Sequence, residues 1–283
     1  MARPQGPLTV CVINMKGGVG KSTISALLAR NALSRRGLDT LAIDLDPQAN
    51  LSQALMGANY NAFLSERRPS IVEIFNGYLP ATPGGAASPL APNTGVELIS
   101  RKMATTSSLQ LIPARFDFSD NLTNSLRPDP KVLARFLAGN FPQKDLIIID
   151  CAPTESILTQ AAYHASGLVL VPVKPEFFAT IGFPLLAQSL ADFKRNNRGS
   201  SISVSGVVIN NAFYDGGNDG GPEKLRAIDE IQTAATRNRW PIFNTQIPFS
   251  RGFPKIMRGD NTYSGNAAMF PVFADEFFNA VGL

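Results

Sequence analysis

The chain has little of what disulfide-bonded, histidine-dependent or membrane-spanning proteins require. Its 283 residues include two cysteines, Cys11 and Cys151, and one histidine, His164. Two cysteines without metal-ligand spacing indicate a reducing compartment, and a single histidine argues against histidine-based catalysis or a histidine-rich metal site. No apolar run reaches the roughly 18 residues of a membrane span, and no signal-peptide segment precedes the first predicted strand. We therefore expect a cytoplasmic protein.

The composition is that of a globular chain with a mild positive charge. Hydrophobic residues make up 44% of the sequence and charged residues 17%, which excludes a disordered chain. The length is sufficient for a sizeable core in one domain. The 26 basic and 22 acidic residues give a net charge of +4, so the distribution of charge says more about nucleic-acid binding than its sum does.

A glycine-rich stretch from Met15 to Thr23 is the most informative part of the chain. It lies between an apolar run that predicts a buried strand and a run that predicts a helix, which is the setting of a phosphate-binding loop. Glycines allow positive φ and bring backbone N–H groups close to phosphate oxygens. A lysine then neutralises the phosphates, and a hydroxyl binds Mg²⁺. The residues concerned are Gly17, Gly18, Val19, Gly20, Lys21, Ser22 and Thr23.

Acidic residues end two further predicted strands. Asp44 and Asp46 alternate at the end of one strand, so their side chains point to opposite sides and only one of them approaches a metal. Asp150 closes an all-apolar run, 146–149, of the kind found inside a parallel sheet that is covered on both faces. Ligands bind at the carboxyl ends of such strands. The pattern predicts an α/β, doubly wound, mostly parallel sheet flanked by helices.

A second lysine makes the glycine-rich stretch similar to one family in particular. Lys16 stands where the general phosphate-loop pattern leaves the position open, and Lys-Gly-Gly-Val-Gly-Lys-Ser-Thr resembles the deviant Walker A motif of the ParA/MinD family. Asp44-Leu-Asp46-Pro-Gln resembles the first switch of that family. Asp150-Cys-Ala-Pro-Thr resembles its second switch, with Ala152 in place of the commoner proline. The similarity covers most of the chain.

The resemblance implies a single P-loop ATPase domain over residues 1–283, with a loop-rich Pro/Gly insertion at about 78–108 that matches nothing in the family. It also implies ATP and Mg²⁺ as cofactors. Asp44 and Asp150 would support the metal through water together with Ser22, and Asp46 would orient the attacking water. Asn210 and Pro248 would lie beside the adenine, although the residues after Pro248 depart from the family pattern.

The function implied is that of a small ParA-type ATPase without an N-terminal helix-turn-helix domain. In this family the equivalent of Lys16 reaches the partner's ATP across a sandwich dimer, so Lys16 is expected to act in catalysis with Lys21 and Asp46. The ATP-state homodimer would bind nonspecific DNA, associate with the nucleoid, and partition or position a plasmid, chromosome region or other cargo. A ParB-like partner would stimulate its slow hydrolysis. The candidate DNA-binding residues are Lys194, Arg195, Arg198, Arg237, Arg239, Arg251, Lys255 and Arg258.

Two other functions are compatible with the sequence. A MinD-like positioning ATPase associates with membranes through a basic amphipathic C-terminal helix, but residues 270–281 contain acids and no lysine or arginine, so we expect no membrane partner. A nucleotide-gated protein-partner switch without DNA binding fits the same nucleotide motifs. An electron-transfer protein like the nitrogenase iron protein would need more cysteines than Cys11 and Cys151.

Overall fold

Within the part of the chain that the structure describes, a seven-stranded sheet forms the centre of the fold. The computed structural model describes residues 6–77, 93–103, 105–116, 129–176, 179, 181–211 and 221–283. The strand order is β3-β4-β2-β5-β1-β6-β7, and every neighbouring pair is parallel except β3 and β4. The strands are β1 (Leu8–Val12), β2 (Thr40–Leu45), β3 (Glu97–Arg101), β4 (Ser108–Ile112), β5 (Leu146–Cys151), β6 (Leu168–Val173) and β7 (Ser203–Ile209).

Helices cover both faces of this sheet. They are α1 (Lys21–Asn31), α2 (Asn50–Met56), α3 (Asn59–Ser65), α4 (Ile71–Gly77), α5 (Val132–Asn140), α6 (Ile157–Ala165), α7 (Gly182–Asn196), α8 (Gly221–Arg237), α9 (Phe253–Met257) and α10 (Met269–Val281). On one face α1 packs against α2, α9 and α10, and on the other α6 packs against α5 and the sheet. The prediction of a doubly wound, mostly parallel α/β sheet is therefore confirmed.

The central strands explain why the acids of the two switch motifs meet. Every residue of β2 and of β5 is buried, as expected for strands covered on both faces. In the register of this pair, Asp44 lies opposite Asp150. Because the two strands are parallel, both acids lie at the same edge of the sheet, here called the carboxyl edge. The glycine-rich loop follows the neighbouring strand β1 at this edge.

The start of α4 follows a signal that is readable from the sequence. Ser70 precedes the helix, and Glu73 reaches back to accept a hydrogen bond from the Ser70 N–H (2.6 Å from N to Oε2). The Ser70 hydroxyl in turn accepts from the Val72 N–H. These two bonds form a capping box, which the three-residue spacing of Ser70 and Glu73 indicates.

Several elements differ from the sequence-based expectation. Strand β3 lies within the segment 78–108 that we expected to be loop-rich, while residues 78–92 of that segment are outside the described part of the chain. The short helices α3 and α9 were not predicted, because Ala58 and Gly252, which precede them, provide no side-chain cap of the kind that Ser70 provides for α4. Helix α6 begins at Ile157, three residues after the second-switch motif ends at Thr154.

The C-terminal helix α10 belongs to the folded core. Its Phe270, Phe273 and Phe277 are buried, and Phe273 packs edge-on against Phe243. The Glu276 carboxylate accepts hydrogen bonds from two backbone N–H groups of the preceding segment. The apolar face of α10 is thus covered by the protein itself. Within the described residues, no helix combines the length and the apolar character needed to cross a membrane.

Candidate nucleotide site

A cleft of about 570 Å³ opens at the carboxyl edge, over the loop between β1 and α1. This volume is within the roughly 300–1,000 Å³ of ordinary small-molecule sites. The cleft is lined by Gly17, Gly18, Gly20, Lys21, Ser22, Thr23, Asp46, Gln48, Asn50, Ala54, Pro153, Asn210, Asn211, Phe249, Ser250, Phe253, Pro254 and Met257. Most of the predicted phosphate loop therefore meets parts of the first and second switches in one cavity.

The conformation of the loop depends on glycine at two positions. Gly18 and Gly20 have φ angles of 74° and 91°, which side chains with a Cβ rarely adopt. A Cβ on Gly20 would also lie 2.1 Å from Asn210 Nδ2. The loop between them carries Val19, whose buried side chain anchors it to the core. The loop is thus held in the shape that presents backbone N–H groups to an anion.

Lys21 is the cation inside the cleft. Its side chain is buried, and its Nζ donates a hydrogen bond to the Lys16 carbonyl oxygen (3.3 Å). Burial lowers the pKa of Lys21, and the nearby charges of Asp150 and Asp46 oppose this change. A buried cation at the start of α1 is suited to binding an anion, because helix N-termini also favour negative charge.

Asp44 and Asp46 occupy different environments, as their alternation predicts. Asp44 is fully buried, and its Oδ2 accepts hydrogen bonds from the N–H (2.8 Å) and hydroxyl (2.7 Å) of Ser52. Its Oδ1 accepts from the Asp46 N–H at 3.1 Å. Asp46 lines the cleft and accepts from the Gln48 N–H at 2.9 Å. Asp44 therefore stabilises the first switch through its hydrogen bonds with Ser52 and Asp46, whereas the Asp46 side chain faces the cavity.

Asp150 is held by a residue that sequence reasoning missed. Its Oδ1 accepts a hydrogen bond from the Ser25 hydroxyl at 3.0 Å. Burial, followed by the charge of Asp44, raises the pKa of Asp150, and hydrogen bonding from Ser22 and Ser25 opposes this change. Burial likewise raises the pKa of Asp44. Ser22 and Ser25 are three residues apart on α1 and so share a face, which is the signal that could have identified Ser25.

The two acids meet the chemical requirements of a hard cation. Asp150 Oδ2 is buried and lacks a hydrogen-bond partner among the described residues, so an oxygen with no other bond is available. Neighbouring buried carboxylates repel each other unless a cation or a proton is present. Within the same residues, no group of three or more His, Cys, Asp or Glu side chains could hold a metal alone. Ser22, Asp44 and Asp150 therefore suit a Mg²⁺ that a phosphate also binds.

Asn210 links the far end of the cleft to the loop. Its Nδ2 donates to the Val19 carbonyl oxygen at 2.9 Å, and its buried Oδ1 has no hydrogen-bond partner in the described residues. Pro248 is buried beside this end but does not line the cleft, whereas Phe249 and Ser250 do. The amide is thus oriented with its acceptor available, and Phe249 forms the wall that we had expected from Pro248.

Lys16 does not line the cleft and lies beside it. Its Nζ forms an ion pair with Glu176 Oε1 at 2.9 Å, and Lys174 Nζ binds the other oxygen of that carboxylate at 2.7 Å. The Lys16 N–H donates to Asn14 Oδ1 at 3.1 Å. The two lysines of the glycine-rich stretch therefore have different positions, Lys21 within the cleft and Lys16 on the rim.

The structure divides the eight candidate DNA-binding cations between two places. All eight are exposed. Lys194, Arg195 and Arg237 lie in the last turns of α7 and α8, and Arg198 and Arg239 follow these helices. All five are at the edge of the sheet where the parallel strands begin, here called the amino edge. Lys194 and Arg239 line one shallow cleft there. Arg251, Lys255 and Arg258 belong to the segment around α9, which forms a wall of the nucleotide cleft.

One family model and several known proteins match this chain. The family model described as "AAA domain" (AAA_31) matches residues 8–203. The chromosome-partitioning ATPase Soj of Treponema pallidum is 29% identical over 242 residues, which cover 85% of this chain and 82% of Soj. The chromosome partitioning protein ParA of Caulobacter vibrioides is 29% identical over 210 residues, covering 74% of this chain and 71% of that protein.

Solved structures show the same fold. The complex of McdA from Cyanothece with ATP has a TM-score of 0.76 and 18% identity, and the match covers 99% of this chain and 98% of McdA. Both relatives named above are partition proteins, and the family match extends over more than half of the sequence. The chain therefore belongs to the AAA domain family, as a ParA-type P-loop ATPase.

Proposed function

We propose that this chain is a DNA-based positioning switch that is driven by ATP. It binds ATP with Mg²⁺ in the carboxyl-edge cleft, forms a sandwich dimer in the ATP state, and in that state binds DNA without sequence preference. Slow hydrolysis, stimulated by a ParB-like partner, returns it to the free form. Its role is to partition or position a plasmid, a chromosome region or another cargo over the nucleoid.

The cleft residues supply the nucleotide chemistry of this proposal. Backbone N–H groups of 17–23 and the Lys21 ammonium bind the phosphates, and the Ser22 hydroxyl binds Mg²⁺. Asp44 and Asp150 would orient the metal through water, and Asp46, which faces the cavity, would orient the attacking water. Mg²⁺ when bound neutralises the charge that develops during phosphoryl transfer. Asn210 Oδ1 is an acceptor that suits the 6-amino group of adenine.

The main support for this proposal is that Lys21 and Lys16 occupy separate positions. Lys21 serves the nucleotide of its own protomer, whereas Lys16 lies on the rim of the cleft. A cation on the rim is suited to the phosphates of a second copy placed face to face, where it would act as an arginine finger does. Hydrolysis would then require the dimer, so that the nucleotide state and the assembly state are coupled.

DNA binding would use exposed cations, because contacts with backbone phosphates are independent of sequence. The five cations of the amino edge and the three around α9 are alternative surfaces for this role. The α9 set adjoins the nucleotide cleft, so a dimer that closes over the cleft could bring two copies of it together. Either surface predicts affinity that falls steeply with salt concentration.

Binding to nonspecific duplex DNA tests this function. We would measure the affinity of wild type, Lys16→Ala and Asp46→Ala with ATP, with ADP and without nucleotide, at two salt concentrations. The expected result is ATP-dependent, salt-sensitive binding that Lys16→Ala abolishes and that Asp46→Ala retains while it loses hydrolysis. Absence of DNA binding in every state would refute the DNA-based function and leave a nucleotide-gated protein-partner switch.

A further inference from the structure

The ion pair on the rim of the cleft places Lys16 under the control of another residue. Glu176 lies three residues after the end of β6, and a short turn fixes its backbone: its N–H donates to the Lys174 carbonyl oxygen (2.9 Å), and its own carbonyl oxygen accepts from the Ala179 N–H (2.8 Å). Its carboxylate binds Lys16 through one oxygen and Lys174 through the other. Glu176 is therefore shared between two cations, of which Lys16 has a proposed role at the partner's nucleotide.

The two ends of this ion pair are held by one scaffold. The Asn14 side chain accepts from the Lys16 N–H and donates to the carbonyl oxygen of Pro172 (2.8 Å), which lies in β6. Gly182 at the start of α7 also packs against this point, since a Cβ there would lie 2.3 Å from Asn14 Oδ1. Because Lys16 and Glu176 are joined through β6, little backbone freedom is lost when their side chains meet.

We infer that Glu176 is a positioning residue that holds the Lys16 side chain on its own protomer in the nucleotide-free protein and releases it when the ATP dimer forms. This inference rests on the proposed function, in which Lys16 acts on the partner's nucleotide. Lys16 cannot bind both Glu176 at 2.9 Å and a phosphate of a second copy, so dimer formation breaks one ion pair in each protomer.

The solvent exposure of the Lys16–Glu176 ion pair determines how much its loss should change the dimer dissociation constant. The side chains of Lys16 and Glu176 are 24% and 38% exposed, and ion pairs in such surroundings contribute little. We expect the ion pair to favour the Glu176-bound position of Lys16 about two- to fivefold in each protomer. This preference corresponds to about 0.4 to 1 kcal/mol, at 1.4 kcal/mol for each tenfold change. Two pairs break in each dimer, so the dimer dissociation constant should change by roughly 4- to 25-fold. The ion pair between Lys16 and Glu176 is thus weak enough to break when Lys16 binds the triphosphate of a second copy.

Substitution of Lys174 should have the opposite effect on dimerisation to substitution of Glu176. It binds Glu176 Oε2 at 2.7 Å and so continues to neutralise the carboxylate after Lys16 has left. Removing the charge of Lys174 leaves Glu176 with Lys16 as its remaining partner in this pair of contacts, which should tighten the hold. Glu176→Gln and Lys174→Met should therefore shift the dimer in opposite directions.

The first measurement is the rate at which an acylating reagent modifies Lys16 in the nucleotide-free protein, followed by mass spectrometry. Glu176→Gln should raise this rate two- to fivefold, Lys174→Met should lower it, and Glu223→Gln, a matched change at an exposed position of α8, should leave it unchanged. An unchanged rate in Glu176→Gln would overturn the inference, whatever the protein does with ATP.

The second measurement is sedimentation of the same variants with Mg²⁺ and a nonhydrolysable ATP analogue. Glu176→Gln should dimerise at a 4- to 25-fold lower protein concentration than wild type, and Lys174→Met at a higher one. Weaker dimerisation of Glu176→Gln would mean that Glu176 acts across the interface, which overturns the inference. If wild type stays monomeric, the proposed function fails, while the modification rates still decide whether Glu176 holds Lys16.

Discussion

The carboxyl edge and the amino edge of the sheet use charge in different ways. At the carboxyl edge Lys21, Asp44 and Asp150 are buried and held by specific hydrogen bonds or charges. At the amino edge, cations such as Lys194 and Arg198 are exposed. A buried charge depends on a few fixed neighbours, whereas exposed charges act together through a screened field. Single substitutions should therefore have large effects at Lys21, Asp44 and Asp150 and small ones at the exposed cations of the amino edge.

The largest effect is expected from Lys21→Met, which removes the cation of the cleft and keeps much of the side-chain volume. The affinity for Mg²⁺–ATP should fall at least 100-fold, or about 2.8 kcal/mol at 1.4 kcal/mol per tenfold change, because the phosphates lose a desolvated charge partner. Calorimetric titration measures this. Lys194→Met, the same change at the amino edge, should leave the affinity unaltered, and an equal loss in both variants would contradict the contrast.

The next effect concerns the pH dependence of stability in the nucleotide-free protein. Burial raises the pKa of Asp150 to about 8 and that of Asp44 to about 7, from an ordinary value of 3.8. Between about pH 4 and pH 8, Asp44 and Asp150 therefore bind more protons in the folded state than in the unfolded state. The free energy of unfolding should fall as the pH rises through this range. Asp150→Asn removes one of the two repelling acids and should flatten this fall.

Denaturant titrations at pH 5 and pH 8 would measure this difference. At pH 8 Asp150→Asn should be more stable than wild type by on the order of 1 to 3 kcal/mol, since one pKa unit corresponds to about 1.4 kcal/mol, and at pH 5 the two should be similar. Asp229→Asn, on the exposed face of α8, serves as the matched control. If the wild-type protein became more stable from pH 5 to pH 8, the raised pKa values of Asp44 and Asp150 would be refuted.

A smaller loss is expected from Ser25→Ala. The Ser25 hydroxyl holds Asp150 Oδ1, and Asp150 Oδ2, which has no hydrogen-bond partner among the described residues, is the oxygen available to the proposed metal. Its removal should weaken Mg²⁺-dependent ATP binding about tenfold, the range of a hydrogen bond to a charged group, and leave Mg²⁺-independent binding of ADP unchanged. Ser34→Ala is the control, because the Ser34 hydroxyl donates only to the Arg30 carbonyl oxygen in the described contacts. Equal losses with and without Mg²⁺ would exclude this role.

The smallest effect is expected for one exposed cation. Arg198→Ala should weaken nonspecific DNA binding about twofold and lower the slope of log K against log salt by about 1, if the amino edge meets DNA. Arg251→Ala makes the same change next to the nucleotide cleft. Fluorescence anisotropy over a salt series would show which variant changes the slope, and a loss of more than about 100-fold from Arg198→Ala would break the comparison of the two edges.

The unpredicted elements show where local sequence signals end. Capping of α4 was readable because Ser70 and Glu73 are three residues apart. Strand β3 was not, since its partly exposed residues alternate weakly and its pairing with β4 is a tertiary contact. The place of Phe249 in the cleft wall was missed for a related reason: the bridge between Asn210 and Ile247 sets its position, and nothing local to Phe249 indicates that pairing.

From the sequence alone we predicted the glycine-rich loop, most of the strands and helices around it, and the acids at the ends of β2 and β5, because apolar runs and residue spacing act over short stretches of chain. The three-dimensional fold is needed to show which distant side chains meet. It placed Asp44 beside Asp150, Asn210 against Val19, and Lys16 on Glu176. These contacts join residues more than a hundred positions apart, and they depend on the parallel register of the sheet, which local patterns do not specify.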